Sequence, residues 1–106
     1  MPWKVKFFQT TRGNYPVLQF IEKQDTQTSS KIALSVEMLS NNGPFLKPPF
    51  VKKLRDKLYE LRISNLRIFY TIQNNEYYLL HGFKKKSQKT PAKEIKTAVD
   101  RMKETI

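Results

Sequence analysis

The fold is decided by residues 58–91, LYELRISNLRIFYTIQNNEYYLLHGFKKKSQKTP. Side chains in this stretch alternate between apolar and polar in three runs: Leu58 to Ile63, Leu66 to Gln73 and Glu76 to Phe83. This period of two is typical of half-buried β-strands. The breaks between the runs, Ser64-Asn65 and Asn74-Asn75, are two residues long and tolerate the positive φ angles of tight hairpins. The stretch therefore predicts an antiparallel meander of three strands.

Two-residue hairpins also fix the register of the strands. The first hairpin predicts Arg62 opposite Arg67, and the second predicts Arg67 opposite Gly82 and Ile68 opposite His81. One face of the meander is then almost entirely apolar and must be covered by helices; it holds Tyr59, Leu61, Ile63, Leu66, Ile68, Tyr70, Ile72, Tyr77, Leu79, His81 and Phe83. The other face, which we expect to be open, holds Glu60, Arg62, Arg67, Phe69, Thr71, Tyr78, Leu80, Gly82 and Lys84.

Positive charge is concentrated at one end of this second face. Two arginines directly opposite each other on neighbouring strands repel, so the pair is unfavourable for the sheet itself. Gly82 leaves room for another backbone to approach, and Lys84, Lys85 and Lys86 follow it at once. We interpret this end of the sheet as a site for an anionic partner. The alternative is that Glu60 neutralises one arginine and the remaining charges are solvated surface.

The net charge supports an anionic partner. The 106 residues include 20 Lys and Arg against 9 Asp and Glu, a formal net charge of +11. The excess is uneven, since residues 1–46 carry +2 and residues 47–106 carry +9. Such a distribution predicts attraction to polyanions, and nucleic acid is favoured over membrane because no basic amphipathic segment has a strong lipid-facing side. An acidic protein would satisfy the same electrostatics.

Length and composition limit the remaining possibilities. The chain is expected to form one domain, residues 1–106. It has no cysteine and one histidine, which argues against disulfides and against a metal site built on thiolates or histidines. No apolar run is long enough for a membrane helix, and the N-terminus lacks the apolar region of a signal peptide. We therefore expect a cytoplasmic protein that needs neither a metal nor another cofactor.

The other elements complete an α+β fold. An antiparallel sheet, made of an N-terminal strand and the meander, is expected to be packed by an N-terminal helical hairpin and a C-terminal helix. Before the meander we predict a strand at Trp3–Phe8, a helix capped by Asn14 and opened by Pro16, a polar linker at residues 25–30, a helix over Ser29–Ser40 that stops at residues 41–44, and a short edge strand at Val51–Leu54. After it, Thr90 is predicted to cap a last helix that Pro91 opens.

The usual catalytic signatures are missing from the sequence. It contains no glycine-rich phosphate loop, no serine nucleophile pattern and no promising pair of carboxylates. RNA could still be cut without metal, because the ribose 2′-OH is a nucleophile already next to the phosphate. The protein would then supply cations for the extra charge on phosphorus and groups that accept and donate protons. A lysine among other cations has a lowered pKa and can act as a base, while arginine offers phosphate a bidentate fork. The same cluster would also serve for binding alone.

Three segments resemble the RelE/ParE superfamily of bacterial toxins, and in particular its phage-derived, HigB-like branch. They are KKLRDKLYELRI (residues 52–63), LRIFYTI (66–72) and LLHGFKKKSQKTPAKEI (79–95), and the resemblance is close from Lys53 to Ala98. It implies a RelE-like fold and a toxin of a toxin–antitoxin pair. The implied activity is a ribosome-dependent, metal-independent endoribonuclease that cuts mRNA in the decoding site by 2′-OH attack and is blocked by a cognate antitoxin.

The resemblance also implies roles for individual residues. Arg67 would stabilise the transition state, Lys53 with Lys52 or Arg55 nearby would supply the base, and Lys85 or Lys86 would be the general acid. The RNA itself would be bound by Lys52, Arg55, Arg62, Lys84 and Lys89. A tyrosine or histidine that several relatives carry near the end of the site has no match here, where the chain reads Ser87-Gln88-Lys89-Thr90. Two alternatives stay open, a ParE-like inhibitor of DNA gyrase without enzymatic activity and a small RNA-binding module.

Several side chains in this region are predicted to have structural or solvent-facing positions. His81, Tyr59, Tyr70 and Tyr77 are assigned to the core, and Tyr78 and Phe69 to the other face, where they could stack on a base. The charged residues of the last helix, Lys93, Lys96, Arg101 and Lys103, are predicted to form its solvated side.

Overall fold

The computed structural model describes residues 2–105. Its elements are, in chain order, β1 (Lys4–Phe7), α1 (Pro16–Glu22), α2 (Thr26–Asn42), a 3-10 turn (Gly43–Phe45), β2 (Val51–Arg55), β3 (Leu58–Ile63), β4 (Leu66–Gln73), β5 (Glu76–Lys84) and α3 (Ala92–Glu104). The predicted α+β fold is confirmed. Met1 and Ile106, the two ends of the expected domain, lie outside the described residues.

The sheet has five strands in the order β1-β5-β4-β3-β2. The other neighbours are antiparallel, but β1 runs parallel to β5. The expectation of an antiparallel sheet is therefore wrong for the N-terminal strand, because the helical hairpin brings the chain back across the sheet before the meander begins. The predicted turns are present, with positive φ at Ser64 in the first hairpin and at Asn74 and Asn75 in the second. The predicted register of β3 and β4 is confirmed, because Arg62 lies opposite Arg67.

The predicted register of β4 and β5 holds only near the turn. Tyr70 pairs with Leu79, but Phe69 pairs with His81, so Leu80 is an extra residue that forms a β-bulge. Beyond the bulge the side chains of β5 change face. Arg67 is therefore opposite Phe83 instead of Gly82, and Ile68 is opposite Gly82 instead of His81.

The sheet has a hydrophobic core on each face, and the bulge serves both. On the hairpin side, α1 and α2 bury Val17, Ile32 and Leu39 against strand residues that include Leu61, Ile68, Tyr70, Tyr77 and Leu79. On the α3 side, the core contains Phe8, Leu58, Phe69, Leu80, Phe83 and Ala98. The expectation that this second face is open is therefore wrong for the part that α3 covers. Leu80 and Phe83 are both buried in the α3-side core, although residues three apart point to opposite faces of a regular strand. The bulge places both side chains on the same face.

The helix ends differ in part from the prediction. Asp25 accepts a hydrogen bond from the backbone N–H of Thr28 at 2.7 Å, so α2 begins at Thr26 and most of the predicted linker is helical. The predicted stop is confirmed, since α2 ends at Asn42 and Gly43 has a φ of 52°. Neither Asn14 nor Thr90 occupies a cap position; α1 follows Tyr15 and α3 follows Pro91. Within residues 2–105 no helix is both long and apolar enough to cross a bilayer.

Candidate nucleic-acid interface

A buried carboxylate holds the two opposed arginines together. Glu60, at 1% exposure, lies on β3 next to Arg62, and its Oε2 accepts a hydrogen bond from Arg62 Nε at 2.9 Å. Its Oε1 lies 3.7 Å from Arg67 Nε. Two guanidinium groups that would otherwise repel across the sheet therefore share one counter-ion. The predicted alternative was partly right, because Glu60 does neutralise the arginines. However, Glu60 is buried and Arg67 is largely buried, so these two charges are not solvated surface.

Arg67 is anchored by the backbone of the β3–β4 hairpin. Its Nη1 donates to the carbonyl oxygens of Ser64 and Leu66, both at 2.8 Å. The side chain is 14% exposed, and no hydrogen bond within residues 2–105 uses Nη2. A guanidinium fixed in this way keeps one amino group for a ligand and loses little rotamer entropy when the ligand binds.

A cleft opens beside Arg67 at the end of the sheet. It has a volume of about 510 Å³ and is lined by Ser64, Asn65, Arg67, Lys85, Lys86, Ser87 and Gln88. The backbone N–H of Lys85 donates to the Asn65 carbonyl at 2.7 Å, which fixes the lysine segment against the hairpin. The lining residues include three cations and no carboxylate. Elsewhere in residues 2–105, no three His, Asp or Glu side chains lie close enough to share a metal ion.

This cleft can bind an anion with several oxygens. Arg67 offers directed N–H donors, Lys85 and Lys86 offer mobile ammonium groups, and the Ser and Asn side chains add neutral donors and acceptors. A ribose-phosphate presents the matching combination of charged oxygens and hydroxyls.

Comparison with known protein families gives a match over most of the chain. Residues 19–103 match the model of a family described as phage-derived protein Gp49-like (DUF891). The chain belongs to this Gp49-like family. The predicted resemblance to a phage-derived family is confirmed. A search among curated protein sequences finds no significant match.

Solved structures share the fold of this Gp49-like chain. A chain of the archaeal RelE–RelB complex from Pyrococcus horikoshii OT3 superposes with a TM-score of 0.63 at 18% identity, covering 84% of this chain and 100% of that one. A chain of the toxin–antitoxin complex RelBE2 from Mycobacterium tuberculosis gives 0.57 at 18% identity, covering 82% and 95%. At these identities the likeness shows a RelE-like fold.

The structure brings together one part of the predicted site. Arg67, Lys85 and Lys86 line the cleft, and Arg62 is linked to Arg67 through Glu60. Lys52 pairs with Glu60 across β2 and β3, and cross-strand partners share a face. Lys52 is therefore on the α3 side of the sheet, the same side as the arginines.

Four predicted site residues lie elsewhere. Lys53 pairs with Tyr59, and Lys84 pairs with Leu66, so both are on the hairpin side, opposite Arg67. Arg55 lines a separate groove beside α3. Lys89 is exposed in the segment between β5 and α3 and does not line the cleft. Of the two neighbouring lysines on β2, Lys52 is thus the one placed with the arginines.

The bulge moves His81 into a polar network under α3, a position that differs from its predicted core face. His81 Nε2 is 2.8 Å from Glu94 Oε1, and its Nδ1 is 3.2 Å from Arg101 Nη1. Arg101 also donates to the Leu80 carbonyl at 2.8 Å, so it is not on the solvated side of the helix as predicted. Burial lowers the pKa of Arg101. The network joins α3 to β5.

The predicted aromatic positions are partly correct. Tyr70 and Tyr77 are buried in the hairpin-side core, where burial raises the pKa of both hydroxyls. Phe69 is fully buried and cannot stack on a base. The Tyr78 hydroxyl donates to Glu76 at 3.1 Å.

Sequence reasoning missed four residues that line the cleft: Ser64, Asn65, Ser87 and Gln88. A signal was available for the first two, because they form the tight turn next to Arg67. Ser87 and Gln88 lie in a segment without periodicity, and nothing in the sequence distinguishes them from other loop residues.

Proposed function

We propose that this protein is the toxin of a toxin–antitoxin pair and that it cuts mRNA in the decoding site of the ribosome without a metal ion. The observation that carries the proposal is the cleft in which Arg67, anchored with a free Nη2, meets Lys85 and Lys86. Membership of the Gp49-like family and a RelE-like fold support it. Of the two solved structures with this fold, one is a RelE–RelB complex and the other is described as a toxin–antitoxin complex. We extend such a partnership to this chain as an antitoxin that blocks the cleavage.

The RNA supplies the nucleophile in the proposed reaction. The 2′-oxygen attacks the adjacent phosphorus, the bond from phosphorus to the 5′-oxygen breaks, and the products are a 2′,3′-cyclic phosphate and a 5′-OH. A base takes the proton from the 2′-OH, and an acid gives a proton to the leaving 5′-oxygen. Holding the three reacting atoms in line supplies a large part of the rate.

The cations in the cleft and near it have separate parts in this scheme. Arg67 Nη2 donates to a non-bridging phosphate oxygen, where negative charge grows in the transition state. Lys85 or Lys86 protonates the leaving oxygen. Lys52, on the same side of the sheet as the arginines, replaces Lys53 as the base that takes the proton from the 2′-OH. Arg62 binds a neighbouring phosphate.

The positive charge explains how such a site would reach its substrate. The ribosomal decoding site is lined by RNA, and a chain with a net charge of +11 is attracted to it. The proposed place of action is therefore the cytoplasm, on ribosomes that carry mRNA.

The test is to incubate the protein with programmed ribosomes and map the 5′ ends of the mRNA. We expect protein that was freed of metal by dialysis against EDTA beforehand to cleave mRNA only on ribosomes and to leave a 5′-OH. Arg67→Ala should lower the rate by about 10²–10³, the usual effect of removing a transition-state donor, while urea unfolding shows that the variant is folded. Intact mRNA together with arrested DNA gyrase would contradict the proposal and favour the ParE-like alternative. RNA binding without cleavage or arrest would favour the RNA-binding module.

A further inference from the structure

The sheet ends at β1, and an apolar groove runs along this edge. β1 is the outermost strand, so one side of its backbone has no strand partner within residues 2–105. α2 packs against both β3 and β1, which means that the helix crosses the sheet as far as this edge. A groove of about 440 Å³ lies between them; Val5, Phe7, Ile21, Ile32, Ala33 and Val36 supply its apolar lining.

The groove offers space for side chains of an added strand. A strand added to β1 would lie beside the overhanging α2, and its inward side chains would enter the groove next to Val5 and Phe7. Over the length of four residues, about 13 Å, two side chains of such a strand point inward. The mostly apolar lining favours apolar side chains there, and Glu37, the charged residue of the lining, disfavours acidic ones.

The opposite face of the same edge favours acidic side chains. Lys4 and Lys6 project there, and both contact one carboxylate, Glu76, at 3.5 and 3.1 Å. Two ammonium groups with one counter-ion leave an uncompensated positive charge. An added strand would place its outward side chains directly beside these lysines, where an acidic residue is favourable and a basic one is not.

We propose that the β1 edge is a docking site for a strand of a partner protein in which apolar and acidic residues alternate. The apolar residues fill the groove under α2, the acidic residues pair with Lys4 and Lys6, and the backbone extends the sheet to six strands. A second copy of this chain fits less well, because its β1 would bring two more lysines to the same face.

This site is separate from the cleft, so the inference goes beyond the proposed function. β1 pairs with the start of β5, at Glu76–Leu79, whereas the cleft begins at Lys85. Lys85 lies six positions beyond Leu79, the last residue that pairs with β1, which corresponds to about 20 Å of extended chain. The two sites can therefore be tested independently.

The test uses the whole protein and a synthetic peptide, acetyl-EVEVEVE-amide, observed by backbone NMR. At about 1 mM peptide, the weak end of specific affinity, we expect shifts and slower amide exchange at Lys4–Phe7. The peptides EEVVVEE, which has the same composition without alternation, and KVKVKVK should bind at least tenfold more weakly. Ala33→Arg, which fills the groove from an exposed position, should weaken the binding of EVEVEVE at least tenfold. Leu34→Arg is the matched control, since Leu34 is 66% exposed and does not line the groove.

Four results of the peptide experiment would overturn the proposal. They are the absence of shifts at β1, equal binding of EVEVEVE and EEVVVEE, shifts confined to Lys85 and Lys86, and binding that Ala33→Arg leaves unchanged. Sedimentation of the protein alone would show whether a second copy occupies the edge; a dimer that Ala33→Arg dissociates would also overturn it. None of these results depends on mRNA cleavage, so failure here leaves the proposed function standing.

Discussion

Replacing Glu60 by Gln should destabilise the protein far more than the loss of an ordinary ion pair. Glu60 is 1% exposed, and its charge compensates two guanidinium groups. Breaking a buried pair costs about 3–5 kcal/mol when a charge is left uncompensated. Arg62 is 33% exposed and can regain water, and glutamine keeps one oxygen acceptor. We therefore expect a loss of about 2–3 kcal/mol in the free energy of unfolding, scaled down from that range.

The assay is urea unfolding of the wild-type protein and the variant, with the midpoint and the m-value compared. For a domain of this size the expected loss corresponds to a fall of about 10–20 °C in Tm. The matched control is Asp100→Asn, which removes the exposed ion pair with Lys96 and should leave the midpoint unchanged. Replacing Glu60, Arg62 and Arg67 together by Met should restore much of the stability, because no buried charge remains.

A change of less than about 0.5 kcal/mol for Glu60→Gln, the range of an ordinary surface substitution, would refute this reasoning. It would mean that water or a shift of the strands compensates the arginines without Glu60. A triple variant less stable than Glu60→Gln would show that packing in this region, and not the uncompensated charge, dominates the cost.

Three further predictions concern the rest of the fold. Gly82→Ala should cost about 1–3 kcal/mol in unfolding free energy, because its Cβ would lie 2.5 Å from the Phe20 ring, and adding Phe20→Leu should recover part of the loss. Arg101→Gln should speed the amide exchange of α3, since it removes the bonds to the Leu80 carbonyl and His81, whereas Gln at the exposed position Lys103 should not. The Thr28 N–H lowers the pKa of Asp25 below its ordinary 3.8, so this cap stabilises the fold above pH 3.8 and loses its effect as the pH falls through the lowered pKa. Asp25→Asn should remove that part of the pH dependence of Tm.

The sequence predicted the parts of the fold that short-range rules control. The hairpin at Ser64-Asn65 set the Arg62–Arg67 pairing, and Gly43 ended α2. The alternation rule failed where several neighbouring residues are all apolar. Tyr77, Tyr78, Leu79 and Leu80 form an unbroken apolar run, so alternation does not show which of them is the extra residue. The bulge at Leu80 is decided by two cores on opposite faces, which only the tertiary structure defines.

The same limit governs the candidate site. Arg67, Lys85 and Lys86 could be predicted because they adjoin the hairpin and the end of β5. The neighbours Lys52 and Lys53 are chemically identical, and only the register of β2 against β3 assigns them to opposite faces. The sequence suggested only that Glu60 could neutralise one arginine, whereas its burial and its contact with both arginines arise from the tertiary packing.

The most direct test of the central claim compares two double variants that remove the same charge from opposite faces of the sheet. Lys85→Ala with Lys86→Ala removes both lysines that line the cleft beside Arg67. Lys53→Ala with Lys84→Ala removes two lysines from the hairpin side. The quantity to measure is the rate constant of mRNA cleavage on programmed ribosomes. We expect a loss of about 10² or more for the first pair and a rate close to wild type for the second. Equal losses for the two pairs would contradict it, because net charge and not the cleft would then determine the activity.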